Sequence, residues 1–200
     1  MSNWENDIEI RRLRDSDIER AYALKIEYLD PMPLAEWSAR RGKYPELFCG
    51  CALQGELIGV CYGWPFREDR PELLDTLLLY GIAVISDYNG RGYGSRLLHF
   101  WEQQAVQSGR WTVSVGSASG YVDGFYLKNG YHPVHYMISL PAESCPPEAL
   151  RLRYDIAAER VEHGRRLLYV PIDALDEGLR QRLLADFAAD EVIAIMEKRL

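Results

Sequence analysis

The chain has 200 residues, 48% of them hydrophobic and 26% charged, with a formal net charge of −7. That length and composition allow one generous globular domain, or a domain of about 150 residues with an extension, and a core that needs neither disulfides nor metal. The acidity argues against nucleic acid, whose partners carry a basic stripe, and is compatible with a cationic or amine substrate.

The basic clusters Arg11-Arg12-Leu13-Arg14 and Arg40-Arg41-Gly42-Lys43 are short and lie among acids. No run approaches the ~18 apolar residues of a membrane span. Asp7, Glu9 and Arg11 interrupt any apolar leader, so a cytoplasmic protein without a membrane partner is expected. Cys49, Cys51, Cys61 and Cys145 make no metal-ligand spacing with each other or with a histidine pair, and read as free thiols.

Ile8 and Ile10 alternate with polar neighbours as a short first strand. Ser16-Asp17-Ile18-Glu19 has the form of a capping box before a helix whose Ile18, Ala21, Tyr22 and Leu29 share a side. Pro31 and Pro33 break that helix, and a second covers 34–41 up to Gly42. From Leu47 the period changes to two, which predicts strands over 47–53 and 57–64 joined through Gln54-Gly55-Glu56. A polar connection, 67–72, leads to a long strand, 73–84. The glycine cluster Gly90-Arg91-Gly92-Tyr93-Gly94 opens a helix over 92–107, with Leu97, Leu98, Trp101 and Ala105 on its inner face. A strand near 111–115, a short helix over 121–129 that turns Val122 and Phe125 inward, and a strand over 131–140 follow. Gly130 suits the left-handed stop of that helix. Residues 141–147 (PAESCPP) read as a linker. The tail, 148–200, carries a helix near 147–160, a strand over 166–172, and a helix over 175–188 whose Leu175, Leu179, Leu183 and Phe187 share a face.

Strand, glycine loop and helix in that order form a phosphate-binding arrangement, because the first helix amides lack internal partners and the helix dipole is positive there. Standard dinucleotide and nucleotide patterns fail letter by letter. Leu97 stands where a third Rossmann glycine belongs, no Gly-Lys-Ser/Thr occurs, and Gly116-Ser117-Ala118-Ser119-Gly120 has alanine at the place of a nucleophile-elbow serine. The segment Asn89-Gly90-Arg91-Gly92-Tyr93-Gly94 resembles the pyrophosphate loop of the GNAT acetyltransferase superfamily, with Asn89 in place of its first Arg or Gln. Phe125-Tyr126-Leu127-Lys128-Asn129-Gly130-Tyr131 resembles a second segment of the same superfamily, in the right order and spacing.

The resemblance spans roughly residues 8–140. It implies a mixed α/β fold for residues 1–140, a mostly antiparallel central sheet flanked by helices; the tail, 148–200, lies outside the resemblance and reads as a C-terminal α/β extension packed on that domain. It implies acetyl-CoA as co-substrate and no metal. The pantetheine arm would pair with the strand backbone at Ile82 and Val84. The phosphates would lie on Asn89, Gly90, Arg91, Gly92, Tyr93, Gly94 and Ser95, with Lys128 and Ser119 as further contacts. Tyr126 matches the tyrosine that protonates the departing CoA thiolate, and Glu27, Tyr28, Asp30, Trp37 and Tyr80 fall in segments that line the acceptor side.

The expected reaction is direct attack of an amine, on a small molecule or a peptide N-terminus, on the thioester. Many members take the ammonium proton with a glutamate on the fourth strand. Here Tyr80 and Gly81 occupy that place, and Asp75 is the nearest substitute, beside Tyr80 itself, Glu72 or a water chain. The missing acid keeps open a non-catalytic CoA-binding or protein-interaction module of the same fold. Dimerisation is common among relatives and is carried here as a possibility.

Overall fold

A computed structural model describes residues 8–66, 76–118 and 120–200. The fold is mixed α and β, with a mostly antiparallel sheet flanked by helices, as expected. The chain divides into two compact units: one runs up to Val113 and takes in Arg199–Leu200, and the other is Ser114–Lys198.

In the first unit, β1 (Ile8–Arg12), β2 (Phe48–Leu53), β3 (Glu56–Pro65) and β4 (Thr76–Val84) lie side by side in chain order, each antiparallel to the next. The β2–β3 connection is the two-residue turn Gln54–Gly55, with φ of 52° and 85°. Two successive positive φ angles are the geometry that matches the twist of a hairpin. The helices are α1 (Ile18–Tyr28), α2 (Leu34–Lys43) and α3 (Tyr93–Gln107). Strands β2 and β3 are buried at nearly every position because both of their faces are covered. Val60, Tyr62 and Trp64 join Ala21, Leu24, Trp37 and Phe48 in one cluster. The alternate residue Gly63 faces Trp101 of α3, whose indole N–H donates to the Leu47 carbonyl at 3.0 Å. Each large side chain so buried contributes about 1.5–3 kcal/mol.

Three details of the first unit differ from expectation. The capping box does not form at Ser16. A 3-10 turn, Asp15–Asp17, precedes α1, and the Asp17 carboxylate instead accepts from the Arg14 N–H at 2.6 Å and from the Arg11 guanidinium. Helix α1 also buries a lysine, Lys25, on its apolar side. In β4 the register with β3 slips, so that Tyr62 faces Gly81 and Gly63 faces Leu79; Tyr80 is the extra residue of a β-bulge.

The second unit holds β5 (Thr112–Ser117, begun in the first), α4 (Tyr121–Lys128), β6 (His132–Pro141), α5 (Glu148–Arg153), β7 (Ala158–Glu162), β8 (Arg165–Pro171), α6 (Glu177–Asp186) and β9 (Glu191–Arg199). Their strand order is β5-β9-β6-β8-β7. The last fifty or so residues therefore do not trail from β6. Strands β8 and β9 pair antiparallel with its two edges. Of the tail's elements, β7 and β9 have no counterpart among those expected, and the first tail helix is only six residues long. Strand β9 does alternate, burying Val192, Ala194 and Met196. Helix α4 turns Asp123 and Tyr126 inward, while Val122 is exposed and Phe125 only half-buried, which corrects the expected inner face.

Candidate functional site

The glycine loop follows β4 through a 3-10 turn, Ser86–Tyr88, and enters α3 at Gly92. Gly90 and Gly92 have φ of 75° and 79°, the left-handed region where only glycine is unstrained. A Cβ added at either would meet nothing within 4 Å, so the outer side of the loop is open. No side chain caps the start of α3 and no acid lies in its first turn. The first helical hydrogen bond runs from the Arg96 N–H to the Gly92 carbonyl at 3.0 Å. That leaves the amides of Tyr93, Gly94 and Ser95 without intrahelical acceptors, at the positive end of a fifteen-residue helix. The arrangement is an anion cradle.

Its neighbours are fixed around it. Tyr93 is buried, with its ring 6.5 Å from that of Tyr88. Arg91 lies over Tyr88 at 5.3 Å and donates to the Asp87 carbonyl at 3.4 Å, while Asn89 is exposed. Upstream, Ile82 and Val84 are half-buried and pair with Cys61 and Gly59 of β3.

Residues read for the acceptor side divide in two. Glu27 and Tyr28, on the last turn of α1, are exposed, and the Tyr28 phenol is pushed up first by its hydrogen bond to Glu27. Tyr80 is 42% exposed and stacks on Trp64 with centroids 3.7 Å apart. Trp37 is different: it is 0% exposed, packed against Tyr22, Phe48 and Tyr62, and backs this region from the core.

Gly81 shows why no carboxylate stands on β4 here. A Cβ at that place would lie 2.7 Å from Leu29 Cδ1 and 3.0 Å from the Tyr62 hydroxyl. Tyr62 also belongs to a buried cluster of which the sequence pointed only to Asp30, as an acceptor-side residue, and not to its partners. Lys25 Nζ sits 2.7 Å from Asp30 Oδ1 and donates to the Asp30 and Met32 carbonyls at 2.6 and 2.9 Å, and Tyr62 donates its hydroxyl to Asp30 Oδ2. Burial alone would raise the Asp30 carboxyl, but Lys25 and Tyr62 outweigh it and hold it below the ordinary range. The legible signal was a lysine on the stripe of Ile18 and Ala21, three and four residues apart along α1.

In the second unit Tyr126 is 4% exposed, its ring edge-on to Tyr131 at 5.4 Å and to Phe125 at 5.2 Å. Lys128 is exposed at the end of the same helix. Asp75 and Ser119, read as base and cofactor contact, lie outside the described residues, as does Glu72. Among the described residues no group of three or more His, Cys, Asp or Glu could hold a metal. No described helix is long and apolar enough to cross a membrane. The cysteines are free; Cys49, Cys51 and Cys61 are buried and Cys145 is exposed.

The family model for the acetyltransferase (GNAT) family matches residues 10–131, taking in the whole cradle and the Tyr126 segment. The chain belongs to the acetyltransferase (GNAT) family. No curated protein matches this GNAT chain at a significant level. Many solved structures share its fold. Ribosomal-protein-alanine N-acetyltransferase from Brucella melitensis is 16% identical with a TM-score of 0.58, covering 96% of this chain and 99% of its own. YncA from Salmonella typhimurium, solved with its cofactor acetyl-CoA, is 13% identical with a TM-score of 0.55, over 86% and 96%. Naa50 of Arabidopsis thaliana, in complex with the bisubstrate analogue CoA-Ac-MVNAL, is 13% identical with a TM-score of 0.54, over 82% and 97%. Identities this low establish the GNAT fold and nothing finer.

Proposed function

We propose that the protein transfers an acetyl group from acetyl-CoA to an amine, on a small molecule or a peptide N-terminus. The observation that carries this is the uncapped start of α3 behind two left-handed glycines, an anion cradle within a GNAT chain. The pyrophosphate binds the Gly90–Ser95 backbone, with Asn89, Arg91 and Lys128 as side-chain contacts and Ser119 as a further one, and the pantetheine arm runs along Ile82–Val84. The amine nitrogen attacks the thioester carbon, the C–S bond breaks as the C–N bond forms, and the sulfur takes its proton from the Tyr126 hydroxyl. Asp75, directly or through water, takes the proton that the nitrogen loses. Glu27, Tyr28 and Tyr80 face the acceptor, with Trp37 supporting them from behind. The two neighbours whose names carry a ribosomal-protein alanine and a peptide analogue favour testing peptide N-termini first.

We further read residues 1–140 as the acyltransferase domain, 141–147 as a linker and 148–200 as an extension built onto it, in a cytoplasmic protein that pairs as a homodimer. Light scattering on the eluting protein tests the dimer.

Calorimetric titration with acetyl-CoA tests the cofactor, and absence of binding at about 1 mM, the top of the usual KM range, would sink the whole reading. Thiol release across a panel of peptides and small amines tests the transfer. Tyr126→Phe is expected to lower kcat by about 100-fold with acetyl-CoA affinity kept. Binding without turnover across the panel would instead support a non-catalytic CoA-binding module, the reading favoured by the filled space at Gly81.

A further inference from the structure

The second unit contains a buried charge network that no step above uses. Arg180 of α6 is 3% exposed. Its Nη2 donates to Asp123 Oδ2 at 2.9 Å and its Nη1 to the Ala118 carbonyl at 3.2 Å. Asp123 lies on α4, one turn before Tyr126, and its other oxygen accepts from Ser117 Oγ at 2.6 Å. The guanidinium lies over the Tyr136 ring at 5.2 Å, and the Tyr136 hydroxyl in turn accepts from the Asp176 N–H at 2.8 Å and donates to the Asp176 carbonyl at 3.0 Å, at the start of α6. Glu177 stands 3.5 Å from Nη1, and Nε is buried without a hydrogen-bond partner.

Two features make this more than a tie between helices. The turn that launches α4 closes on a long backbone bond, from the Gly124 N–H to the Gly120 carbonyl at 3.2 Å; Gly120 has φ of 56°, and no side chain caps the helix. Arg180 grips both sides of that turn, the carbonyl before it and the carboxylate after it. Helix α4 has only eight residues, too short to be stable alone, so its placement depends on such ties. Asp123 and Tyr126 are its two buried residues and lie three apart, on one face. Anchoring Asp123 therefore sets the rotation of α4 about its axis, and with it the direction of the tyrosine.

We propose that Arg180 is a positioning residue for acetyl transfer: from the C-terminal segment it fixes the start of α4 and aims Tyr126. This rests on the reading of Tyr126 as the acid. It gives the segment after the linker a part in the chemistry, exerted through Asp123 and the Ala118 carbonyl.

The test uses the full chain with acetyl-CoA and the amine from the panel that is turned over fastest. Arg180→Met is expected to lower kcat by about tenfold or more while the KM for acetyl-CoA stays within about twofold. In a Tyr126→Phe background the same substitution is expected to cost less than about twofold, because the group it aims is gone. Arg180→Lys keeps the charge but cannot make both contacts, and is expected to recover only part of the loss. Amide exchange over 117–127 should rise in Arg180→Met while that of β6 holds. Should Arg180→Met fail to fold, Asp123→Asn, nearly isosteric, carries the same expectations. Unchanged kcat in the variant, or a full loss added on top of Tyr126→Phe, overturns the proposal and leaves the transferase standing. No turnover by the unaltered protein with any amine overturns the transferase reading, and the proposal with it.

Discussion

Asp17 shows how one side chain can couple folding to pH. Burial would raise its carboxyl, but the Arg11 hydrogen bonds and the Arg14 N–H outweigh burial and hold it below the ordinary range. A carboxyl depressed in the folded state adds stability above its unfolded pKa of about 3.9, and that contribution is lost as pH falls through the lower folded value. Asp30 has the same sign, through Lys25 and Tyr62. Thermal unfolding followed from pH 7 down to pH 3 should therefore show stability falling below about pH 4, and Asp17→Asn should flatten that fall. The thiols give a second test at this scale. Burial raises Cys49 to about 12 and Cys51 to about 11, and pushes Cys61 well above its ordinary value. Only thiolate reacts, so a maleimide titration of the native protein should label Cys145 alone, and all the thiols after unfolding.

At the scale of the element, the glycine loop and the β3–β4 pair carry separable demands. Gly92 starts α3 in the left-handed region with open space around it, so a side chain there costs conformational strain of about 1 kcal/mol and no clash. Asparagine and aspartate share that strain and differ only in charge. Gly92→Asp is expected to bind acetyl-CoA about tenfold or more weakly than Gly92→Asn by calorimetry, because a carboxylate would occupy the anion site. Gly63 makes the opposite demand. Its added Cβ would overlap the Leu78 carbonyl and lie 2.6 Å from Trp101, both in well-packed surroundings. Gly63→Ala is expected to lose about 2 kcal/mol or more in denaturant unfolding.

At the scale of the whole molecule, the C-terminal segment is built into the sheet of the second unit. Strand β6 is flanked by β8 on one side and β9 on the other, both drawn from residues after Pro147. A chain ending at Pro147 would expose both edges of β6 and the apolar faces of Tyr136, Ile138 and Leu140. Such a truncation is expected to aggregate on expression, whereas a freely appended tail would leave a soluble core; solubility and light scattering separate the two.

The local patterns were enough to read the elements that hold the cradle. The period of two over 47–64, the glycine cluster and the apolar stripe of Leu97, Leu98, Trp101 and Ala105 each depend on neighbours a few residues apart, and each stands where its pattern puts it. The two motifs in their order also point to the family, whose model matches residues 10–131. What tertiary structure alone decided was every partnership between distant residues. Tyr62 with Asp30, Arg180 with Asp123, and the insertion of β9 beside β6 join positions far apart in the chain. A buried charge looks like a surface charge in a sequence, because what makes it tolerable is a partner brought in by the fold. For the same reason the sequence showed that β4 lacks a carboxylate at Gly81, and only the structure showed that Leu29 and Tyr62 already fill the space one would need.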